Sequence, residues 1–421
     1  MKILFISEYY PPKIMGGGEI NLSLLAQALA KKNQEVAVLT SIHENLQPYE
    51  EINQIKIYRR LKTGENPSSI KSNFKRSHLF PKSLTKEITT LAQEIKPDLI
   101  HFIGTSIIVA AAIKDNPLTK TIPLFATIES YPTLCPKGDR IYHGKQECKE
   151  ICTYQKFTSC QKDSSEIGKM QNKAYLKYNP LFHRYLYQYY EKLNQNLKHC
   201  NLIAISQYVQ NILQQQSLHS TVIPNAINQN LFISSKKVKK DKPHLLYLGS
   251  LTSFKGPQII LKAMKELNCH LDLYGEGNLK AHLQKTIQEN NLDATIHEAV
   301  PYDKIPEIYN KADIIIFPSI WPEPFGRIAI EGMAAGKIVI GSNIGGIKET
   351  LENNNGILFE PDNVEELNTI LDNLINKKME SIPTAAELQK TVMLKYSEQT
   401  VINKLIETYQ EQLKEQSKKQ L

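Results

Sequence analysis

One tryptophan, Trp321, stands in 421 residues, and no apolar run approaches the length of a membrane span. The longest, Ile107 to Ile113, falls far short of the roughly 20 residues that cross a bilayer. Six cysteines are too few for a disulfide-stapled scaffold of this length. No zinc-finger, RNA-recognition or basic-zipper pattern occurs, so nucleic acid is not an expected partner. There is no fixed-period repeat and no low-complexity tract. Met1 leads straight into a strand pattern with no room for a secretory leader. The expected location is therefore cytoplasmic, with at most a peripheral contact on the inner face of a membrane.

What is present is ordinary globular material for two domains: 41% hydrophobic and 22% charged residues. The net charge of +8 is unevenly spread. Residues 1–200 carry 28 Lys+Arg against 18 Asp+Glu, residues 201–240 add four lysines and no acid, and residues 241–421 carry 19 against 25. A basic front half suits an anionic lipid surface or a phosphate-bearing acceptor, and equally a solvated surface with spare lysines.

Short strand-like runs alternate with amphipathic helices, the pattern of parallel sheets covered by helices on both faces. In the front half the expected strands are Lys2–Ser7, Glu35–Thr40, Ile55–Tyr58, Leu99–Phe102, Leu124–Ile128 and Leu202–Ile205. A second series runs through His244–Leu248, His270–Tyr274, Thr295–His297, Ile314–Phe317 and Ile338–Gly341. The boundary falls between Ile223 and Lys242, with a lysine-rich stretch, Lys236–Lys240, as linker or surface turn. An amphipathic helix from Ser397 to about Glu415 closes the chain; such helices often cross back onto the first domain.

The strongest chemical signal is Trp321-Pro322-Glu323-Pro324-Phe325-Gly326-Arg327-Ile328-Ala329-Ile330-Glu331-Gly332-Met333-Ala334-Ala335-Gly336. It follows a strand and opens a helix, so backbone amides at Phe325, Gly326 and Arg327 suit a diphosphate. Glu323 in the loop and Glu331 two helical turns on can accept hydrogen bonds from sugar or ribose hydroxyls. The segment resembles the signature of the family 4 glycosyltransferases: two glutamates separated by seven residues, Phe-Gly between them and Met-Ala after the second. By that resemblance Glu331 holds the donor ribose and Glu323 contacts the transferred sugar. The backbone of Phe325, Gly326, Arg327 and Ile328 contacts the diphosphate and sugar.

Further segments resemble the family in order along nearly the whole chain. Val222 to Asn228 looks like the interdomain turn, with Ala226 and Asn228 where the family usually has Gly and Asp. Tyr247 to Gly256 looks like the strand and loop that grip the diphosphate through Gly249, Ser250 and Lys255. Tyr274-Gly275-Glu276-Gly277 matches another strand end. Lys255 would neutralise the leaving diphosphate as the glycosidic bond breaks. Ser250 replaces a usual arginine and brings a hydroxyl without charge, so Arg327 would have to complete the grip. Gly16-Gly17-Gly18-Glu19 is similar to the glycine-rich first loop, where Gly17 lets the backbone approach the ligand closely. Glu129, after Thr127-Ile128, stands where the family usually carries a histidine; it would take a sugar hydroxyl or an acceptor proton, or it marks lost activity.

Cys135, Cys148, Cys152 and Cys160 fall within 26 residues of one another. In a cytoplasmic chain four clustered thiols suggest a structural Zn²⁺ held by four sulfurs, with an iron–sulfur cluster or free redox-active thiols as alternatives. Some family members resemble this chain in carrying such an insert, placed here at about 131–165. Tyr175, Tyr178, Phe182, Tyr185, Tyr187, Tyr189 and Tyr190 crowd an expected helix with Lys173, Lys177, Arg184 and Lys192. That helix reads either as a membrane or acceptor surface or as one packing its aromatic face on the first domain.

The resemblance implies the α/β GT-B fold: two Rossmann-like doubly wound domains, residues 1–225 on the acceptor side and 226–395 binding the nucleotide sugar, facing across a cleft, followed by a helix over 396–421. It implies a retaining transferase that moves a sugar from a nucleotide-sugar donor to a saccharide or lipid-linked acceptor. Glu323, Lys255 and Glu129 would be catalytic, and no cofactor would be needed for the chemistry. An epimerase or hydrolase on the same fold, and a catalytically silent sugar-nucleotide binder, are the rival readings.

Overall fold

The structure is a computed structural model that describes residues 1–14, 16–62, 80–103, 121–144, 146–162, 178–232, 240–379 and 382–420. The apolar run Ile107–Ile113, the residues Lys173, Tyr175 and Lys177, the end of the cysteine insert at 163–165 and most of the lysine-rich stretch before Lys240 lie outside them. The chain divides into two compact units, Met1–Ala226 with Val401–Leu421, and Ile227–Thr400.

The first unit is built on an eight-stranded sheet. Its strands are β1 (Lys2–Ile6), β2 (Glu35–Ser41), β3 (Tyr49–Ile52), β4 (Ile55–Leu61), β5 (Leu99–Ile103), β6 (Leu124–Ile128), β9 (Asn201–Ala204) and β10 (Ser220–Val222); β7 (Ile141–Tyr142) and β8 (Gln146–Glu147) form a separate hairpin. The order is β10-β9-β6-β5-β1-β2-β4-β3, parallel except for the β3–β4 edge. Central strands are buried on both faces, which is why β1, β5 and β6 read as near-continuous apolar runs. The polar β3 was missed because it is a four-residue edge strand. It closes onto β4 through Asn53 and Gln54, both at positive φ (51° and 65°), as a tight hairpin turn requires.

One core holds Ile3, Phe5, Leu22, Leu29, Val38, Leu99 and Phe125 together with Val401, Ile402, Leu405 and Tyr409. The final helix, Glu398–Gln420, therefore inserts its apolar face into the first unit's core. Tyr409 anchors it: its hydroxyl lies 2.5 Å from His101 Nδ1, while His101 Nε2 meets Thr127 Oγ1 at 2.7 Å.

The tyrosine-rich helix starts later than expected. Asn179 caps it, accepting from the amides of Leu181 and Phe182, and Pro180 takes the first helical position, so Pro180–Leu197 excludes Tyr178. Tyr187 faces Tyr154 and Phe157 of the helix Tyr154–Lys162, with ring centroids at 5.5 and 6.0 Å, and Tyr190 is buried. Leu181 and Tyr178 remain exposed. Among the described residues no helix is long and apolar enough to cross a membrane.

The second unit carries β11 (His244–Leu248), β12 (His270–Tyr274), β13 (Ala294–His297), β14 (Ile314–Phe317), β15 (Ile338–Ser342) and β16 (Ile357–Phe359). All pair in parallel in the order β13-β12-β11-β14-β15-β16. Both sheets are doubly wound. Chain direction across the sheet reverses between β1 and β5 in the first unit and between β11 and β14 in the second. At such switch points the loops beyond the strands' C-terminal ends diverge and leave room for a ligand.

Candidate functional site

The second unit's switch point is flanked by the two loops that carry the sequence signature. After β11 the chain passes Gly249 and Ser250 into the short helical turn Ser253–Lys255. After β14 it passes Ser319 and Glu323 into the helix Arg327–Ala334. One carbonyl stitches the loops together. Phe254 O accepts from the amides of Ile320 (2.8 Å) and Trp321 (3.1 Å) and from Ser319 Oγ (3.2 Å). Gly256 makes the approach possible: φ is +75°, and a Cβ there would lie 2.0 Å from Pro318 O. Gly275, at the end of β12, is pinned in the same way, since its Cβ would meet the Gly249 carbonyl oxygen at 1.9 Å.

The result is a contact between two residues 68 apart in sequence: Lys255 Nζ lies 2.5 Å from Glu323 Oε1. The same ammonium sits 4.4 Å from the centroid of the Trp321 ring. Glu323 is buried and Lys255 partly exposed, so the pair meets solvent from the lysine side. Gly346 N donates to Glu323 O (2.7 Å), fixing the loop from a third direction. Ser250 is exposed; its carbonyl accepts from the buried Tyr247 hydroxyl (2.7 Å). Burial, with Glu323 adding to it, holds the Tyr247 phenol well above its ordinary pKa, so it remains a donor.

Glu331 is buried and already engaged. Its Oε1 accepts from Tyr302 Oη and Arg327 Nε, both at 3.0 Å, and its Oε2 from Tyr309 Oη at 3.1 Å. Arg327 Nη2 also donates to Tyr302 Oη (2.8 Å). Burial raises the Glu331 carboxyl, against the lowering by Arg327 and the two phenols. The Arg327 guanidinium is thus committed to Glu331. Phe325 packs edge-on against Tyr396, and Ile328 presents its carbonyl to Tyr309 Oη (3.3 Å). The first helical turn after Gly326 has amides without intrahelical acceptors, as every helix N-terminus does. Tyr302 and Tyr309 were not anticipated from sequence.

In the first unit Gly17 opens the helix Gly17–Lys31, and Gly16 N donates to Glu19 Oε2 (2.9 Å). One turn on, the buried Asn21 donates Nδ2 to Glu129 Oε1 (3.0 Å) and accepts from Ala226 N (3.1 Å). Glu129, just past β6, is therefore held at the glycine loop's helix.

The cysteines gather around the β7–β8 hairpin. Burial pushes the Cys152 thiol up to about 12, and the neighbouring Cys135, Cys148 and Cys160 add to the rise. Cys160 Sγ accepts from His143 N (3.4 Å), Cys148 and Cys152 lie 3.8 and 3.7 Å from carbonyl oxygens, and Cys148 also meets the Lys156 ammonium. Among the described residues, no three of these sulfurs lie within 4.8 Å of one another.

Two α/β units with parallel sheet cores and glycine-shaped loops at the second unit's switch point have the GT-B fold. Residues 15–231 match the Glycosyltransferase Family 4 model and residues 228–391 the Glycosyl transferases group 1 model. The chain belongs to glycosyltransferase family 4. It is 25% identical over 441 residues to an uncharacterized glycosyltransferase of Methanocaldococcus jannaschii, covering 97% of this chain and 98% of that one. Over 194 residues it is 31% identical to the lipopolysaccharide 1,2-N-acetylglucosaminetransferase of Salmonella typhimurium, 42% of this chain and 49% of that protein. Among solved structures it is similar to the sucrose-phosphate synthase of Thermosynechococcus elongatus (TM-score 0.74, 18% identity, 97% and 98% covered). It is also similar to Anabaena HepE in complex with UDP-glucose (TM-score 0.66, 19% identity, 98% and 100% covered).

Proposed function

We propose that this glycosyltransferase is a retaining enzyme that takes a hexose from a nucleotide sugar and passes it to a saccharide or lipid-linked acceptor. The observation that carries the reading is the Lys255–Glu323 pair at the second unit's switch point. A donor diphosphate would draw the Lys255 ammonium from Glu323, and the released carboxylate would take a hydroxyl of the transferred sugar. Bond breaking leaves negative charge on the diphosphate, where a preorganised cation and loop amides stabilise the transition state most. The leaving phosphate then accepts the acceptor's proton on the same face, which retains configuration. Glu331 would take the ribose and Glu129 a sugar or acceptor hydroxyl. The UDP-glucose complex of the Anabaena neighbour supports a sugar-nucleotide ligand. Structural zinc on Cys135, Cys148, Cys152 and Cys160 would tie the hairpin to its helix without entering the chemistry.

The test is a thermal-shift screen against UDP-, GDP- and ADP-sugars, followed by acceptor-dependent turnover. At a hundredfold excess over Kd one donor class should raise Tm by about 5 °C or more. Lys255→Ala should lower turnover by roughly 10²–10³-fold; unchanged rate and donor affinity would refute the assignment. The uncharged Ser250 and the committed Arg327 favour one rival, a silent sugar-nucleotide binder. That rival predicts stabilisation by a donor with no turnover, whereas an epimerase or hydrolase consumes donor without acceptor.

A further inference from the structure

A second constellation starts at the opposite end of the second unit's sheet. His244 and His270 open β11 and β12 and are register partners, and Asp272 is two residues further along β12, hence on the same face. His297 ends β13 beside Tyr274, again on that face, with its ring stacked on Tyr274 at 4.2 Å. The switch-point loop starts at Gly249, five residues and about 16 Å along the strand from His244. His244 therefore lies well away from Gly249, while His297 reaches the cluster from the end of β13, where its carbonyl accepts from Gly275 N (3.2 Å).

Three imidazoles surround one carboxylate. His297 Nε2 lies 2.7 Å from Asp272 Oδ1, His270 Nε2 3.3 Å from the same oxygen, and His244 Nδ1 4.0 Å from Oδ2. Ligand atoms of His244, His270 and Asp272 all fall within 4.8 Å of one another. In a tetrahedron with bonds of about 2.1 Å, ligand atoms are about 3.4 Å apart, so small rotations would close these three on one ion. His270 is also oriented from behind: Nδ1 lies 2.8 Å from Asp293 Oδ1, and Asp293 in turn pairs with Lys242. His270 thus lies between two carboxylate oxygens, Asp293 Oδ1 on Nδ1 and Asp272 Oδ1 on Nε2, which fixes the plane of its ring. A carboxylate behind a histidine is the usual device for fixing the tautomer and ring of a metal ligand.

We infer that His244, His270 and Asp272, with His297 orienting the carboxylate, form a site for a divalent transition metal of the zinc class. The scaffold is rigid, since the ligands sit on paired strands, and all are partly exposed, so an ion arrives from solvent. Bound there, the ion would tie β11 to β12.

Zinc titration of the chelator-stripped chain against a chromophoric competitor tests this, comparing the native sequence with His270→Ala and Asp293→Asn. Zinc held by cysteines is common to all three and cancels in the comparison. The native chain should bind one more zinc than His270→Ala, and zinc should raise its Tm more. Asp293→Asn should keep the site with affinity weakened about 10- to 100-fold. Equal zinc stoichiometry and affinity in the native chain and His270→Ala, with both showing native circular dichroism, would overturn the proposal. If His270→Ala does not fold, unchanged zinc affinity in folded Asp293→Asn overturns it instead.

Discussion

Removing the charge of Glu331 should reveal how strongly the buried cluster behind the signature helix is coupled. Glu331→Gln leaves a carbonyl oxygen for the phenols but orphans the Arg327 guanidinium, whose side chain is only 13% exposed. Breaking one half of a buried pair costs about 3–5 kcal/mol, and the slight exposure of Arg327 places this one near about 3. At about 2–4 °C per kcal/mol the Tm should fall by roughly 6–12 °C. Arg327→Met should cost at least as much, because Glu331 is the more deeply buried partner. The double variant orphans neither charge, so the cycle should return a coupling of about 2–3 kcal/mol. Burial already raises the Glu331 carboxyl. An acid raised in the folded state loses stability as pH climbs from its unfolded pKa through its folded one, so Arg327→Met should be weakest at alkaline pH and regain stability on acidification. Trp321 is the sole tryptophan and lies in the same loop-helix segment, so its fluorescence in urea reports this unit. A coupling below about 0.5 kcal/mol would show that Glu331 and Arg327 do not act as a unit and would refute the reasoning.

Two further outcomes follow from neighbouring groups. Tyr302→Phe removes one donor from Glu331, so a ribose hydroxyl meets less competition, and donor Kd should tighten several-fold by isothermal titration, for about 0.5–1.5 kcal/mol; weaker binding would mean that Tyr302 itself touches the donor. Burial lowers His101 to about 3. Its stabilising effect is therefore complete above the unfolded value near 6.5 and drains as pH falls toward the folded one, by about 2 kcal/mol at pH 5. His101→Gln should flatten that acid limb in urea titrations followed by circular dichroism, and an unaltered slope would exclude His101 as its source.

The parallel core was legible because strands buried on both faces must be apolar throughout, so β1, β5, β6, β11 and β14 announce themselves without any partner in view. The strands that escaped are three- or four-residue edges: β3 and β10 are short and carry polar residues, and the apolar β16 is only three residues long, too few to show a period. The signature loop was legible for a different reason: Glu323 and Glu331 are neighbours in sequence, so their spacing survives without a fold. Contacts between distant segments have no such trace. Lys255 and Glu323 meet only because Gly256 and Phe254 O bring two loops together, and Tyr302 and Tyr309 reach Glu331 from outside the motif. The histidines of β11, β12 and β13 were hidden likewise, since only strand register puts His244 beside His270.

The two glutamates of the signature stand in different energetic positions, and this bears on how each would serve the proposed donor. Glu331 has three protein donors at hydrogen-bond distance, so a ribose hydroxyl can only exchange with one of them. Exchange of one hydrogen bond for another yields on the order of 1 kcal/mol or less. Glu331 would then set the orientation of the nucleotide more than its affinity. Among the described residues Glu323 pairs with one cation, Lys255, and that cation also faces solvent. A diphosphate offers Lys255 more negative charge than one carboxylate does, so the exchange is favourable there, and it frees Glu323 only when phosphate is in place. The carboxylate meant for the sugar would thus be released by the charge of the same donor molecule. Free sugar, lacking phosphate, would find Glu323 still closed by Lys255, and under the proposed function the pair would then select activated sugars over free ones.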